Sequence, residues 1–210
     1  MKKSTWFIMI LALVLVGSTA PVGQTSAAEK TTFTGTDTLD PFNLLGTGGV
    51  GSITAGTTKC PGHEPMDLTL PGLPPITVCP PGSRTHSRGF VMVTRFETTS
   101  DLVTGTATIT VNSNFDADGT GPAWGTISIA PDASVDGTWV GTWQGVRVKV
   151  EDQTWAILVH GSAKGTGEFE GMNYSALDDI TSFSLSEEYP SVLVAYTGLL
   201  KGRIIDPHSK

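Results

Sequence analysis

The chain has 210 residues, with 13 Lys and Arg against 20 Asp and Glu, so its formal net charge is −7 at pH 7. An acidic chain without a cluster of Lys or Arg lacks the electrostatic attraction that binding to nucleic acid or to an anionic membrane requires. Its 25 Gly have no three-residue period and its Cys number only two, which excludes collagen-like and disulfide-dense scaffolds.

The first 28 residues have the pattern of a secretory signal peptide. Lys2 and Lys3 precede an apolar run over residues 6–16, and small residues follow up to Ala28. The run has 11 residues, whereas a membrane-spanning helix needs about 20, so we expect cleavage and a secreted, extracytoplasmic protein without a membrane partner. Removal leaves 11 basic against 20 acidic residues, a formal charge of −9, on residues 29–210.

Residues 29–210 are predicted to form a single all-β domain. Thr-rich alternation over 31–36 and a short segment at 50–55 indicate two early strands. Further strands are predicted at 90–98, 103–112, 123–130, 137–150, 154–163, 167–176 and 192–205, separated by turn-forming residues. Strands at this spacing predict an antiparallel meander that closes as a barrel or packs as a sandwich.

Residues 60–88 are predicted to form a long Pro-rich loop that a disulfide between Cys60 and Cys79 closes. The 18 residues between the two Cys include five Pro and show no periodic element. In an oxidising extracellular space the two thiols are expected to pair. The alternative is a metal site that these thiols form with His63 and Met66, ligands that suit soft or borderline metals.

Large rings and glycines alternate on one face of the predicted strand at 137–150. Trp139, Gly141 and Trp143 share this face with Arg147. Glycines between indoles either let a strand bend at a barrel corner or leave space for a ligand over the rings. Arg147 is expected to be an exposed cross-strand partner. The candidate ligand-binding residues are Trp139, Trp143, Trp155, Phe90 and Met92.

Two stretches carry a resemblance to a known group. They are residues 112–126, and residues 165–172, in which Gly165, Gly167, Phe169 and Gly171 form a Gly-x-Gly-x-aromatic-x-Gly pattern. Over residues 89–203 the chain resembles secreted bacterial proteins whose signature is similar to that of allene oxide cyclase and dirigent barrels. The resemblance implies an antiparallel up-and-down barrel of about eight strands with an apolar lumen. Related barrels cyclise a reactive lipid epoxide or steer radical coupling.

An acidic segment matches half of a calcium-binding loop. Asn114, Asp116 and Asp118 place side-chain oxygens at alternate positions, and Gly119 follows them. The position at which a bidentate Glu is expected holds Gly125. Asn, Asp and Gly are also the ordinary residues of a hairpin turn, so calcium binding and turn formation both remain open. No other cofactor is expected.

His160 and Glu170 are the candidate catalytic residues. His160 lies on the predicted strand at 154–163, and Glu170 lies on the next one. A His beside a carboxylate in a barrel lumen could act as a general acid and base. The alternative is a hydrogen-bonded strand His and a solvated Glu.

The sequence pattern of residues 29–210 is compatible with three functions. The first is a secreted barrel that binds a small, mainly apolar molecule in its lumen. The second is an isomerase, cyclase or coupling-directing enzyme on the same barrel, and the third is an extracellular structural or interaction module with a filled interior. The absence of a complete catalytic pattern in the sequence favours binding. Oligomeric state is not indicated.

Overall fold

The structure, a computed structural model, describes residues 28–54, 56–69 and 75–208. The predicted signal peptide lies outside the described residues except for Ala28. Within these ranges no helix is long and apolar enough to cross a membrane. The strands are β1 (Glu29–Leu39), β2 (Ser52–Thr54), β3 (Thr57–Lys59), β4 (Met66–Leu68), β5 (Ile76–Val78), β6 (Thr85–Thr98), β7 (Gly105–Phe115), β8 (Gly121–Pro131), β9 (Gly137–Glu151), β10 (Thr154–Gly167), β11 (Asn173–Ser184) and β12 (Leu193–Asp206).

Eight long strands form a closed antiparallel barrel, which confirms the predicted all-β architecture. Strands β6 to β12 pair in chain order, and β12 pairs with the whole of β1. Strand β1 also pairs with β6, where residues 35–38 lie opposite residues 95–98, and this contact closes the sheet. Closure removes the free edges that an open sheet of these strands would expose.

The predicted strand at residues 167–176 is wrong. Strand β10 continues to Gly167, residues 168–172 form a turn, and β11 begins only at residue 173. Gly167 and Gly171 have φ values of +61° and +88°, a left-handed backbone that glycine adopts without a steric penalty. The second half of β11 was missed because Asp178 faces inward and breaks the apolar alternation there.

Alternation along β9 shows which strand face forms the lumen. Trp139 and Arg147 are 0% and 2% exposed, whereas Val140 and Val146 between them are about half exposed on the outside. The expectation that Arg147 is an exposed cross-strand partner is therefore wrong. The strand period that turns Trp139 inward also turns Arg147 inward, because both occupy odd-numbered positions.

One end of the barrel is closed by four aromatic side chains, which we call the aromatic plug: Phe33, Trp139, Phe169 and Tyr174. The rings of Trp139 and Phe169 stack with centroids 5.0 Å apart, and those of Phe33 and Tyr174 stack at 5.6 Å. The Trp139 Nε1–H donates a hydrogen bond of 2.7 Å to the carbonyl of Leu102. The plug therefore seals this end without leaving the indole nitrogen unpaired.

The opposite end carries the long connection between β1 and β6. Within it β2 and β3 pair with β6, and β4 pairs with β5. The predicted disulfide between Cys60 and Cys79 is confirmed, which removes the alternative of a metal site through free thiols. Strand β6 begins at residue 85 rather than 90, so the last residues of the predicted 60–88 loop belong to the barrel.

Gly141 and Gly161 provide a matched test of how tightly β9 and β10 pack. A Cβ atom at Gly141 would overlap the carbonyl oxygen of Ser162 and the Cα of Ala163, whereas one at Gly161 would meet no atom within 4 Å. We expect Gly141→Ala to lower the free energy of unfolding by about 1–3 kcal/mol, because only a strand shift relieves the overlap. Gly161→Ala should change it by less than about 0.5 kcal/mol. Urea unfolding of both variants measures the difference, and equal losses would contradict this packing.

Candidate functional site

A cavity of about 520 Å³ occupies the barrel between the aromatic plug and the β1–β6 connection. An eight-stranded barrel is just wide enough either to be filled by side chains or to hold one small ligand. The wall is mostly apolar, with Phe90, Met92, Ile109, Ile127, Trp143 and Ile157 among its residues. The connection contributes Phe42, Ile53, Ile76 and Val78 at the mouth. A concave apolar cavity of this size is typical of a small-molecule site.

Three of the five predicted ligand-binding residues line this cavity: Phe90, Met92 and Trp143. Trp139 lies in the aromatic plug instead. Trp155 is 1% exposed near the other end of the barrel, where its Nε1–H donates to the carbonyl of Asp118 at 3.0 Å. Gly141 opens no space for a ligand, since the neighbouring strand occupies the position of a Cβ atom there.

The predicted catalytic residues are not brought together. His160 is exposed on the outside of β10, opposite Gln144 and Leu177 of the two flanking strands. Glu170 is exposed in the turn that follows Gly167. The expectation of a His and carboxylate pair in the lumen is therefore wrong for these residues, because the turn replaces the strand on which Glu170 was placed.

The predicted calcium ligands take part in other contacts around the β7–β8 turn. Asp116 forms an ion pair of 3.1 Å with Arg84, and the Asn114 Oδ1 accepts a hydrogen bond from Arg88. The Asp118 Oδ1 accepts bonds from the backbone N–H and the hydroxyl of Thr120. Among the described residues, no group of three or more His, Cys, Asp and Glu side chains is arranged to hold a metal ion.

Two buried carboxyl groups form a polar cluster in the lumen that sequence reasoning missed. Asp37 of β1 and Asp178 of β11 are 1% and 6% exposed, and both line the cavity. Gly198 of β12 lies between them, and a Cβ atom there would overlap the Asp178 carboxyl group. Glycine at this position therefore lets the Asp178 side chain reach across β12 toward Asp37. We call Asp37 and Asp178 the acid pair.

Burial disfavours ionisation of the acid pair. Removal from water raises the pKa of Asp37, although hydrogen bonds oppose this shift, chief among them the one donated by the Tyr196 hydroxyl at 2.8 Å. Removal from water, followed by repulsion from Asp37, raises the pKa of Asp178 more strongly. Two adjacent carboxylates in a poorly solvated site do not both ionise easily. Near neutral pH the pair is therefore expected to retain one proton, mainly on Asp178.

Three buried oxygens of this cluster have no hydrogen-bond partner outside the cluster among the described residues: Asp37 Oδ1, Asp178 Oδ1 and Thr94 Oγ1. Buried polar atoms in folded proteins are nearly always paired with protein or ordered water, since an unpaired one costs about 1–3 kcal/mol. Asp37 and Asp178 line the cavity, which makes their oxygens available to a hydrogen-bonding group of a ligand.

Arg147 is the other charged residue of the lumen that sequence reasoning misplaced. Its guanidinium lies over the ring of Trp155 at 4.4 Å from the centroid and over that of Phe115 at 5.3 Å. The signal for its inward position was present in the alternation with Trp139 and Trp143. The sequence around the acid pair has no comparable alternation. The bounds of β11 could not be read from it, so the inward direction of Asp178 was not predicted.

No family model, curated protein or solved structure gives a significant match to this chain. The membership in an allene oxide cyclase-like or dirigent-like group that the glycine pattern implied stays a prediction. The functional argument therefore rests on the cavity and the polar groups that line it.

The acid pair predicts that stability falls as the pH rises. The unfolded carboxyls release their protons near pH 4, whereas the folded pair keeps a proton to higher pH, so the free energy of unfolding should decrease by up to about 1.4 kcal/mol per pH unit above that point. Asp178→Asn removes this titration and should give a higher free energy of unfolding than the wild type at pH 8. Urea unfolding at pH 5.5 and pH 8 tests the difference.

Asp179→Asn is the matched control, because Asp179 is exposed on the outer face of the same strand. It should keep most of the wild-type pH dependence, since Asp179 is the smallest of the causes that raise the pKa of Asp178. The charged and titratable groups that act on the pair are, besides its own members, Tyr174, Tyr196 and Asp179. A slope in Asp178→Asn as steep as that of the wild type would show that the pH dependence does not arise from Asp178.

Proposed function

We propose that this protein is a secreted barrel that binds a small, mainly apolar molecule in its lumen. The observation that carries the proposal is the cavity of about 520 Å³ with a largely apolar wall, in a barrel of a size that side chains are able to fill completely. Inward glycines contribute to the open space, as at Gly161, where no atom lies within 4 Å of a Cβ position.

The site is built on barrel strands, and in the described part of the chain it is reached from the end that carries the β1–β6 connection. The aromatic plug closes one end with stacked rings, while the mouth at the other end is formed by residues of the β1–β6 connection. Phe42 lines the cavity there and is 41% exposed, so apolar surface continues from the lumen to the outside. The disulfide in this connection is typical of proteins that work in an oxidising compartment, which supports secretion.

The acid pair favours an isomerase as the second candidate. One ionised and one protonated carboxyl group side by side provide a general base and a general acid. In such a reaction the Asp37 carboxylate removes a proton from a carbon next to a ligand carbonyl, and Asp178 gives its own proton to another atom of the same ligand. The product is an isomer, and a proton transfer from Asp37 back to Asp178 restores the pair.

Binding is tested with N-phenyl-1-naphthylamine, an uncharged apolar dye that becomes fluorescent out of water. We expect saturable binding that quenches Trp143, the one indole on the cavity wall among the described residues. Gly161→Leu should abolish binding with little loss of stability, because the added side chain enters open space. Gly161→Ala is the control and should still bind. If the dye does not become fluorescent with the wild-type protein, the result would contradict the proposal and favour a structural module.

The isomerase is tested with 3-cyclohexen-1-one, whose conversion to the conjugated 2-cyclohexen-1-one is followed by ultraviolet absorbance. The wild-type protein should accelerate conversion over buffer, typically by 10²-fold or more for each positioned proton-transfer group. Asp37→Asn and Asp178→Asn should each remove the acceleration, whereas Asp179→Asn should retain it. Rates equal to buffer for a dye-binding wild-type protein would contradict catalysis and leave binding as the function.

A further inference from the structure

Arg147 is a buried cation on the cavity wall without a carboxylate partner among the described residues. Its side chain lies near the connection between β11 and β12, at the end of the lumen opposite the aromatic plug. There the guanidinium donates hydrogen bonds to Ser184 Oγ at 2.7 Å, to Ser182 Oγ at 3.4 Å and to the Pro190 carbonyl at 2.6 Å. The ion pairs of the described chain involve other residues. All three partners of Arg147 are therefore neutral dipoles.

An unpaired guanidinium in this position is energetically unfavourable. Burial lowers the pKa of Arg147 to about 9, so the group is still charged at neutral pH. Buried arginines are usually paired, since moving a charge out of water is unfavourable unless an opposite charge compensates for it. Neutral hydroxyl and carbonyl oxygens supply only part of that compensation. The position thus favours an anion that arrives from outside the chain.

The remaining donors of Arg147 suit a carboxylate. A guanidinium has five N–H groups, and the three hydrogen bonds occupy Nε and one N–H on each terminal nitrogen. The Ser184 Oγ and the Pro190 carbonyl oxygen lie 2.6 Å apart, so they take the two parallel N–H groups at the end of the guanidinium. One N–H on each terminal nitrogen is left at the edges, and either can donate a bond to a carboxylate oxygen. Such charge-assisted bonds are roughly twice as strong as neutral ones.

The guanidinium is held in place before any ligand binds. It lies over the rings of Trp155 and Phe115, and Trp155 is itself fixed by its bond to the Asp118 carbonyl. The Ser184 hydroxyl also donates to the Pro190 carbonyl, which links two partners of Arg147 to each other. A donor group fixed in this way loses little conformational entropy on binding, which is a property of preorganised sites.

We propose that Arg147 binds the carboxylate of an amphiphile whose apolar body fills the barrel cavity. This inference rests on the proposed binding function and specifies its ligand class: a monocarboxylate with an uncharged apolar chain. The acid pair supports the orientation, because an ionised Asp37 repels an anion from its part of the lumen. The carboxylate is thereby directed to Arg147.

Competition between the dye and two matched ligands tests the inference. Decanoate and 1-decanol have the same chain length and differ in charge, and each is titrated against bound N-phenyl-1-naphthylamine at pH 7.5. We expect decanoate to displace the dye from the wild-type protein at a concentration at least about tenfold lower than 1-decanol, the factor for one bond to a charged group. In Arg147→Met the two ligands should become equal within about threefold.

Arg147→Lys is the matched control, since it keeps the charge but not the planar guanidinium, and should retain part of the preference for decanoate. Dye binding by Arg147→Met shows that its cavity is intact. If this variant does not bind the dye, the same competition experiment is done with Arg147→Lys and Arg147→Gln instead. Equal displacement by both ligands in a dye-binding wild-type protein overturns the inference and leaves the proposed function standing. A wild-type protein without dye binding overturns both.

Discussion

Backbone pairing of β1 with both β12 and β6 is the contact on which the interior of this protein depends. Residues 35–38 form the seam with β6, which lies some sixty residues later in the chain. Without the seam the sheet would be open, and the inward side chains of β6 to β12 would face solvent. Closure converts them into the wall of a cavity, and it also brings Asp37 beside a residue of β11 that is remote in sequence.

The closed lumen contains polar groups that stability alone does not explain. Asp37 and Asp178 share a poorly solvated site with orphaned oxygens, while Arg147 is charged and lacks an anionic partner in the described chain. Opposite charges inside one small lumen would stabilise each other most if they formed an ion pair. They lie apart instead, each with its own neutral hydrogen-bonding partners. Groups held apart in this way remain available to a ligand.

Local sequence pattern predicted the barrel better than it predicted the site. Period-two alternation in β7 and β9 identified both strands and placed Trp143 on the same face as Arg147, because this signal arises within one strand. The β10–β11 turn was missed because its glycines resemble the glycines of a strongly curved strand. The acid pair was missed because it depends on register across three strands, β1, β12 and β11, which no local pattern records. The prediction of His160 in the lumen was wrong because His160 shares a strand face with Leu158, and the structure shows this face outside, with Leu158 61% exposed.

The distribution of charge around the lumen connects the binding and isomerase proposals. The Arg147 guanidinium contacts Ser182 and Ser184 of β11, which lie four and six residues beyond Asp178 on the same strand. The cation and the acid pair are therefore separated along the barrel axis. A ligand whose carboxylate is held by Arg147 would extend its body along this axis toward the aromatic plug, and its uncharged part would then approach the acid pair. Selectivity for chain length and for the place of a carbonyl group would follow from this separation rather than from additional contacts.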